Sequence, residues 1–309
     1  MSQRTAEYQQ LLEDVPCNIC GRNNFKIIYP AQYDLAKTDK IHEGFRSSGD
    51  ETLIDQMVEC NYCGLQYLTP RLRQDIIIEA YSSGSDEGFI SQAKGRERTF
   101  AKSLKSIEKY VPPSKILDVG TAGGSFLKAA KDRGWNVSGC EPNRWLAEWG
   151  KKNYGIDIHS GTIFDMELDH DSFNVVTLWD VLEHVPDPQK VLKECSRVLK
   201  DNGLLLINYP DINSLVARMM GKKWVFLLSV HLYYFTPKTI TKLLEKCGYE
   251  VVKITKHWQT LELDYILFRM KPYIPFIPEL FRRFFKLINC GHLLIPYWMG
   301  QTLVLARKI

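Results

Sequence analysis

Asp118-Val119-Gly120-Thr121-Ala122-Gly123-Gly124 places an acid and a run of small residues directly after an apolar stretch, Ile116 to Val119. Glycines at a strand end let a backbone approach a ligand closely. Glu141 follows about 20 residues later, where an acid can accept hydrogen bonds from ribose hydroxyls. A nucleoside-bearing cofactor is expected. The loop lacks the G-x-G-x-x-G spacing of a dinucleotide site, and Asp118 would repel a pyrophosphate while suiting a cationic or amino-bearing ligand. Two further sets of residues carry chemistry. Cys17-Asn18-Ile19-Cys20-Gly21 and Cys60-Asn61-Tyr62-Cys63-Gly64 are matching knuckles whose four thiolates suit a tetrahedral structural zinc. Redox cysteines and an iron–sulfur cluster are the alternatives. His184, in Glu183-His184-Val185, titrates near neutral pH when unperturbed and suits a general base or a structural tie of its turn. His231 stands in the run Trp224 to Phe235, rich in aromatic and apolar residues. An imidazole beside aromatic rings suits a hydroxyl-bearing acceptor, against the alternative of a satisfied core histidine.

These residues need a frame. Ile116–Val119, the helical spacing of Phe126, Leu127 and Ala130, and the strand ending at Glu141 form a βαβ unit. Ligands of such sheets bind at the carboxyl ends of the strands. Phe173 to Leu178 and Gly203 to Asn208 read as further strands, with a helix at Gln189–Leu199 between them. Its Val191, Leu192, Cys195 and Val198 form one apolar face. Gln74–Tyr81 and Arg96–Tyr110 read as helices before the unit, separated by a polar loop at Ser82–Gly88. Glu250–Lys256 and Thr302–Arg307 read as the last two strands. Between them, Leu261 to Met299 is far longer than a hairpin loop. It contains Pro272, Pro275 and Pro278 and a helix with one basic and one aromatic face.

With its frame in place, Asp118 to Gly124 resembles the first motif, D-x-G-x-G-x-G, of class I S-adenosylmethionine (SAM) methyltransferases, with Ala122 for the middle glycine. Phe173 to Pro188, containing Trp179-Asp180-Val181-Leu182-Glu183-His184-Val185, resembles the fourth-strand motif of the ubiquinone-type and sugar O-methyltransferase branches. Asn174 stands where that motif usually has Asp. Leu199 to Ile207 resembles the next turn and strand, and His231 to Thr236 the sugar-branch pattern H-L-x-x-F-[ST]. Cys63 to Pro70 resembles the cysteine modules that precede such domains. The methyltransferase resemblance covers roughly residues 95–260.

The resemblance implies an α/β fold: a Rossmann-like, seven-stranded mixed sheet with a small N-terminal zinc-ribbon-like module. It implies SAM at Asp118, Gly120, Ala122 and Gly123, with Glu141 on the ribose and Pro142 flanking the adenine. Ile163 and Phe164 would cover the ring and Asp165 would take its amino group, against an exposed turn acid as the alternative. Trp179 would lie beside the sulfonium. His231 is the first candidate base and His184 the second. Zn²⁺ would sit on Cys17, Cys20, Cys60 and Cys63. The expected domains are 1–80, zinc module and linker, and 81–309, catalytic, with 265–299 as a substrate-side insertion.

The expected reaction is O-methylation of a sugar, a glycan or another small intermediate, including a lipid-linked one. C- or N-methylation, or a non-catalytic SAM-binding or zinc scaffold, are the other readings. The fourth-strand region lacks an Asn-Pro-Pro-Tyr motif, which speaks against amino methylation of bases or glutamine. Composition sets outer bounds. The 309 residues carry a net charge of +4 and no dense basic run, so no nucleic-acid partner is expected. No stretch reaches the about 18 apolar residues of a membrane span, and Met1–Asp14 lacks a signal core, so a cytoplasmic protein is expected. Residues 279–288 suit peripheral membrane contact, against packing on the domain or on a partner. Cys140, Cys195, Cys247 and Cys290 read as core.

Overall fold

The computed structural model describes residues 10–32, 53–82, 84–270, 277–287 and 290–309. The loop between the knuckles at 33–52, the start of the polar N-terminus, and Pro272 and Pro275 lie outside these residues.

The N-terminal part is built from short strands: β1 (Leu12–Glu13), β2 (Phe25–Tyr29), β3 (Met57–Cys60), β4 (Gln66–Leu68) and β5 (Arg71–Leu72). The chain then forms helices α1 (Gln74–Ser82), α2 (Glu87–Ile90) and α3 (Ala93–Ile107), followed by β6 (Lys115–Val119), α4 (Ser125–Lys131), β7 (Asn136–Glu141), α5 (Arg144–Tyr154) and β8 (His159–Ser160). Next come β9 (Phe173–Trp179), α6 (Pro188–Val198), β10 (Leu199–Pro210), α7 (Leu215–Met220), β11 (Tyr233–Tyr234), α8 (Pro237–Lys246) and β12 (Tyr249–Lys256). The C-terminal part holds β13 (Gln259–Glu262), α9 (Leu263–Met270), α10 (Ile277–Leu287), β14 (Leu294–Tyr297) and β15 (Gln301–Lys308).

The main sheet has seven strands in the order β12-β15-β10-β9-β6-β7-β8. The pairs from β10 to β8 are parallel, and β15 runs antiparallel to both neighbours. The expected mixed, Rossmann-like sheet is therefore present. From β6 the chain winds outward to β8 and returns to β9 on the other side of β6. The topological switch point lies between β6 and β9, where a ligand crevice forms. Each crossover helix follows from its sequence. In α6, Asp187 caps Lys190 N, Pro188 opens the first turn, and Val191, Leu192, Cys195 and Val198 are all buried.

The N-terminal sheet takes its fourth strand from far along the chain: its order is β11-β4-β3-β2, with Tyr233 paired to Tyr67. Its core is continuous with one face of the main sheet. Cys17, Val58, Leu65 and Tyr67 belong to the same apolar cluster as Leu117, Val176, Leu192 and Leu243. The other face of the sheet packs Leu104, Ile107, Phe126 and Ala130. Cys140, Cys195 and Cys247 are buried, as their core reading requires, whereas Cys290 is half-buried.

Candidate active site

A cavity of about 1030 Å³ opens at the carboxyl ends of β6, β7, β9 and β10. That is the upper end of the ~300–1,000 Å³ range of small-molecule sites, which leaves room for two ligands together.

Its floor is the loop after β6. Gly120 N–H and Thr121 N–H both donate to Cys140 O, at 2.9 and 3.0 Å. Gly120 has φ +69°, and a Cβ there would meet Val181 Cγ2 at 2.7 Å, so only glycine fits. Ala122, also left-handed at φ 49°, is pinned by its N–H to Glu141 Oε2 at 2.7 Å. Glu141 Oε1 accepts from Asn143 N–H at 2.9 Å, so one carboxyl ties two loops together. Asp118 is buried, and Thr177 Oγ1 donates to its Oδ1 at 2.6 Å. Burial raises both the Asp118 and the Glu141 carboxyls to about 7.

At the other end, the Trp179 ring lies 5.1 Å from Phe100, 5.2 Å from Phe126 and 5.4 Å from His257. Asp180 closes β9 in a left-handed conformation, φ 53°. Its carboxyl accepts from Asn208 Nδ2 and from Gln259 Nε2, and burial raises it to about 6 against the pull of Arg96. Tyr297 donates to Gln259 in turn. Arg96 lies 3.6 Å over the Phe89 ring, its Nε without a hydrogen-bond partner. Its helix can reach this wall because Gly95 touches β13: a Cβ there would be 2.5 Å from Thr260 O.

Beside Asp180 stand Glu183, His184 and His231. His184 Nδ1 meets Val230 O at 3.0 Å and Tyr81 Oη at 2.6 Å. His231 Nδ1 meets Phe226 O at 2.8 Å. A carbonyl only accepts, so both Nδ1 atoms carry the proton and both Nε2 atoms keep a lone pair. The two ring centroids are 4.6 Å apart. Burial pushes His184 down to about 4 and His231 well below its ordinary value, so both are neutral at physiological pH.

The cavity brings together Asp118, Gly120, Ala122, Glu141, Pro142, Ile163, Phe164, Trp179, His184 and His231. Two other residues singled out in the sequence do not line it. Gly123 lies against Trp149, and Asp165 closes a capping box with Thr162 at 2.7 Å. Arg96, Glu183, His257, Gln259 and Tyr297 line the cavity and were not expected as site residues. Glu183 had a local signal, its place in the motif beside His184. The others are delivered by long-range packing.

The four knuckle cysteines converge separately. Their sulfurs all lie within 4.8 Å of one another, with Cys17–Cys63 at 3.3 Å and Cys20–Cys60 at 3.5 Å. Each knuckle turns on a glycine N–H, Gly21 to Cys17 O and Gly64 to Cys60 O. A zinc with Zn–S bonds near 2.3 Å needs sulfurs about 3.8 Å apart, so this set fits it.

The profile of a methyltransferase domain family matches residues 92–254, more than half of the chain. The chain belongs to this family. The ubiquinone biosynthesis O-methyltransferase of Coxiella burnetii is 28% identical over 181 residues, covering 54% of this chain and 77% of that protein. Its namesake in Haemophilus ducreyi is 36% identical over 104 residues, covering 30% and 44%. In fold, the chain is similar to the crystal structure of a SAM-dependent methyltransferase from Archaeoglobus fulgidus, with a TM-score of 0.50 and 18% identity, over 72% of this chain and all of that one. The protein is a SAM-dependent methyltransferase.

Proposed function

We propose that this methyltransferase acts on a hydroxyl of a small biosynthetic acceptor: a sugar, a glycan or a lipid-linked intermediate. The observation that carries this reading is the pair of neutral imidazoles, His184 and His231, whose lone pairs share one end of the cavity. Oxygen needs activation that a thiolate or a carbanion does not. The ubiquinone biosynthesis O-methyltransferases support the same bond type, and C- or N-methylation is the second reading.

SAM, when bound, supplies an electrophilic methyl group on a sulfonium. Asp118, Gly120 and Ala122 line the loop that cradles it, and Gly123 packs that loop against Trp149. Glu141 has lone pairs left for the ribose after serving Ala122 and Asn143. Pro142, Ile163 and Phe164 flank the adenine, with Asp165 holding the turn beneath them. Trp179 walls the reacting centre, and Arg96 suits the amino-acid carboxylate. The carboxyls of Asp118 and Glu141 favour a cationic ligand. The imidazoles of His184 and His231 activate the acceptor hydroxyl. Holding two reactants in line is worth effective molarities on the order of 10⁵ M or more.

In this reading Cys17, Cys20, Cys60 and Cys63 hold a structural zinc. Residues 1–80 serve as the module and linker, 81–309 as the catalytic domain, and 265–299 as the acceptor-side insertion. Among the described residues no helix is long and apolar enough to cross a membrane. On α10, Leu280, Phe281, Phe284 and Leu287 are exposed beside Arg282 and Arg283, which suits peripheral contact by residues 279–288. Cosedimentation with anionic vesicles, abolished by Leu280→Glu with Phe284→Glu, tests that contact; no binding by the parent chain removes it.

The deciding experiment pairs an acceptor screen with His184→Gln and His231→Gln. Turnover is expected to fall at least about a hundredfold, with SAM affinity by calorimetry unchanged. Full turnover in both variants would remove these histidines from the reaction.

A further inference from the structure

Among the described carboxyls that line the cavity, Glu183 is the one with both oxygens unpartnered. It is 1% exposed, and neither of its side-chain oxygens has a hydrogen-bond partner. A buried carboxyl without partners is costly, and His184 and His231 are grouped with it. The Nε2 atoms of His184 and His231 have been left as acceptors by the Nδ1 contacts to Val230 O and Phe226 O. One ligand atom from each of the three residues lies within 4.8 Å of the others. A buried carboxyl without a partner, grouped with two imidazoles held by backbone carbonyls, is a set that a cation would satisfy.

We propose that Glu183, His184 and His231 hold a divalent cation at the acceptor end of the cavity. The inference rests on the methyltransferase reading of that cavity and specifies how its two imidazoles work. They act as ligands rather than as proton acceptors. Backbone carbonyls fix both tautomers, as the outer partners of metal-bound histidines do. In a facial set, ligand atoms about 2.1 Å from the ion stand about 3 Å apart, so side-chain rotations draw the three together around it. Two imidazoles and one carboxylate select a first-row ion of the manganese, iron or zinc type over magnesium or calcium. A facial set of three leaves positions open for oxygen. The matching acceptor presents two neighbouring oxygens, one of them the hydroxyl to be methylated.

The cation lowers the pKa of the bound hydroxyl, and the proton leaves to water through the cavity mouth. The acceptor oxygen then forms a bond to the methyl carbon as the carbon–sulfur bond breaks. The electron pair of that bond stays on sulfur, which becomes a neutral thioether. No oxidant or reductant is needed.

Mn²⁺ is the probe, because it stands lowest in the divalent affinity order and does not displace zinc from thiolates. The full chain, with zinc on its cysteines, is titrated with Mn²⁺ and followed by electron paramagnetic resonance. Calorimetry with SAM is run in parallel. The expected result is one Mn²⁺ per chain, with nitrogen couplings from two imidazoles. Glu183→Gln and His231→Gln should each weaken Mn²⁺ more than about tenfold and leave SAM affinity unchanged. Acetohydroxamate, a bidentate oxygen ligand, should alter the bound spectrum, and acetamide should not. A parent chain that binds SAM but no Mn²⁺ overturns the cation site and spares the methyltransferase reading. A chain that binds Mn²⁺ but no SAM does the reverse. Bound Mn²⁺ without imidazole coupling also overturns the site, whether or not the variants fold. Equal responses to the two probes remove the chelating acceptor.

Discussion

In the proposed cofactor site, Asp118 and Glu141 would set how binding depends on pH. Burial raises both carboxyls to about 7 in the free protein. Below that value they hold protons, and a sulfonium cation favours their ionised forms. SAM affinity should therefore rise from pH 6 to pH 8 by at least about tenfold, with protons released on binding. Calorimetry in buffers of different ionisation enthalpy measures both, and a flat profile would contradict the assignment. The sign for folding is opposite. Between about pH 4 and pH 7 the folded state keeps protons that the unfolded chain has lost, so these two groups make the empty protein less stable as pH rises. Thr177→Val removes the hydroxyl that donates to Asp118. It should cost about 1–3 kcal/mol and move the binding profile to higher pH.

At the scale of elements, the cysteine knuckles do more than close a small sheet. Asn18 Nδ2 donates to Asp187 Oδ1 at 2.9 Å, and Arg71 donates to Pro186 O at 2.8 Å. Asp187 and Pro186 end the same turn that carries Glu183 and His184. If these cysteines hold the proposed zinc, Cys60→Ser should release it and lower the thermal midpoint by at least about 5 °C. Amide exchange at Glu183–Asp187 should accelerate with it. Metal loss that leaves those amides protected would uncouple the module from the site.

What the sequence disclosed follows from distance along the chain. The β6 loop and β7 are local, so Asp118, Gly120 and Glu141 could be read directly. Each knuckle is local too, and the matching pair implied its partner. Arg96 could not be read, because its position depends on Gly95 meeting Thr260 across the fold. Gln259 and Tyr297 sit on β13 and β14, which pair across a long insertion. The left-handed Asp180 gave no signal, since neither glycine nor asparagine marks it. His231 was legible as chemistry, but its neighbours Glu183 and His184 come from a distant turn.

At the scale of the whole molecule, the proposed boundary at residue 80 is crossed by one shared core. Tyr67 stacks on Tyr233 at 6.4 Å, and the core joins both parts. A chain lacking residues 1–72 would uncover Tyr233 and the apolar cluster it shares with the N-terminal sheet. Burial of such side chains is worth about 1.5–3 kcal/mol each, so that truncation should lose cooperative melting altogether. Calorimetry of the full chain should show one transition, and two separated ones would mean autonomous domains.

The strand at Tyr233–Tyr234 also fixes an order in time. Residues 10–72 leave the ribosome long before the strand that completes their sheet has been made. At about 5–20 residues per second the wait is roughly ten to thirty seconds. Throughout it the four thiols are carried on an unfinished sheet with one edge open. Early capture of the proposed zinc during synthesis would shield that nascent segment from oxidation and from edge pairing with a neighbouring polysome's product.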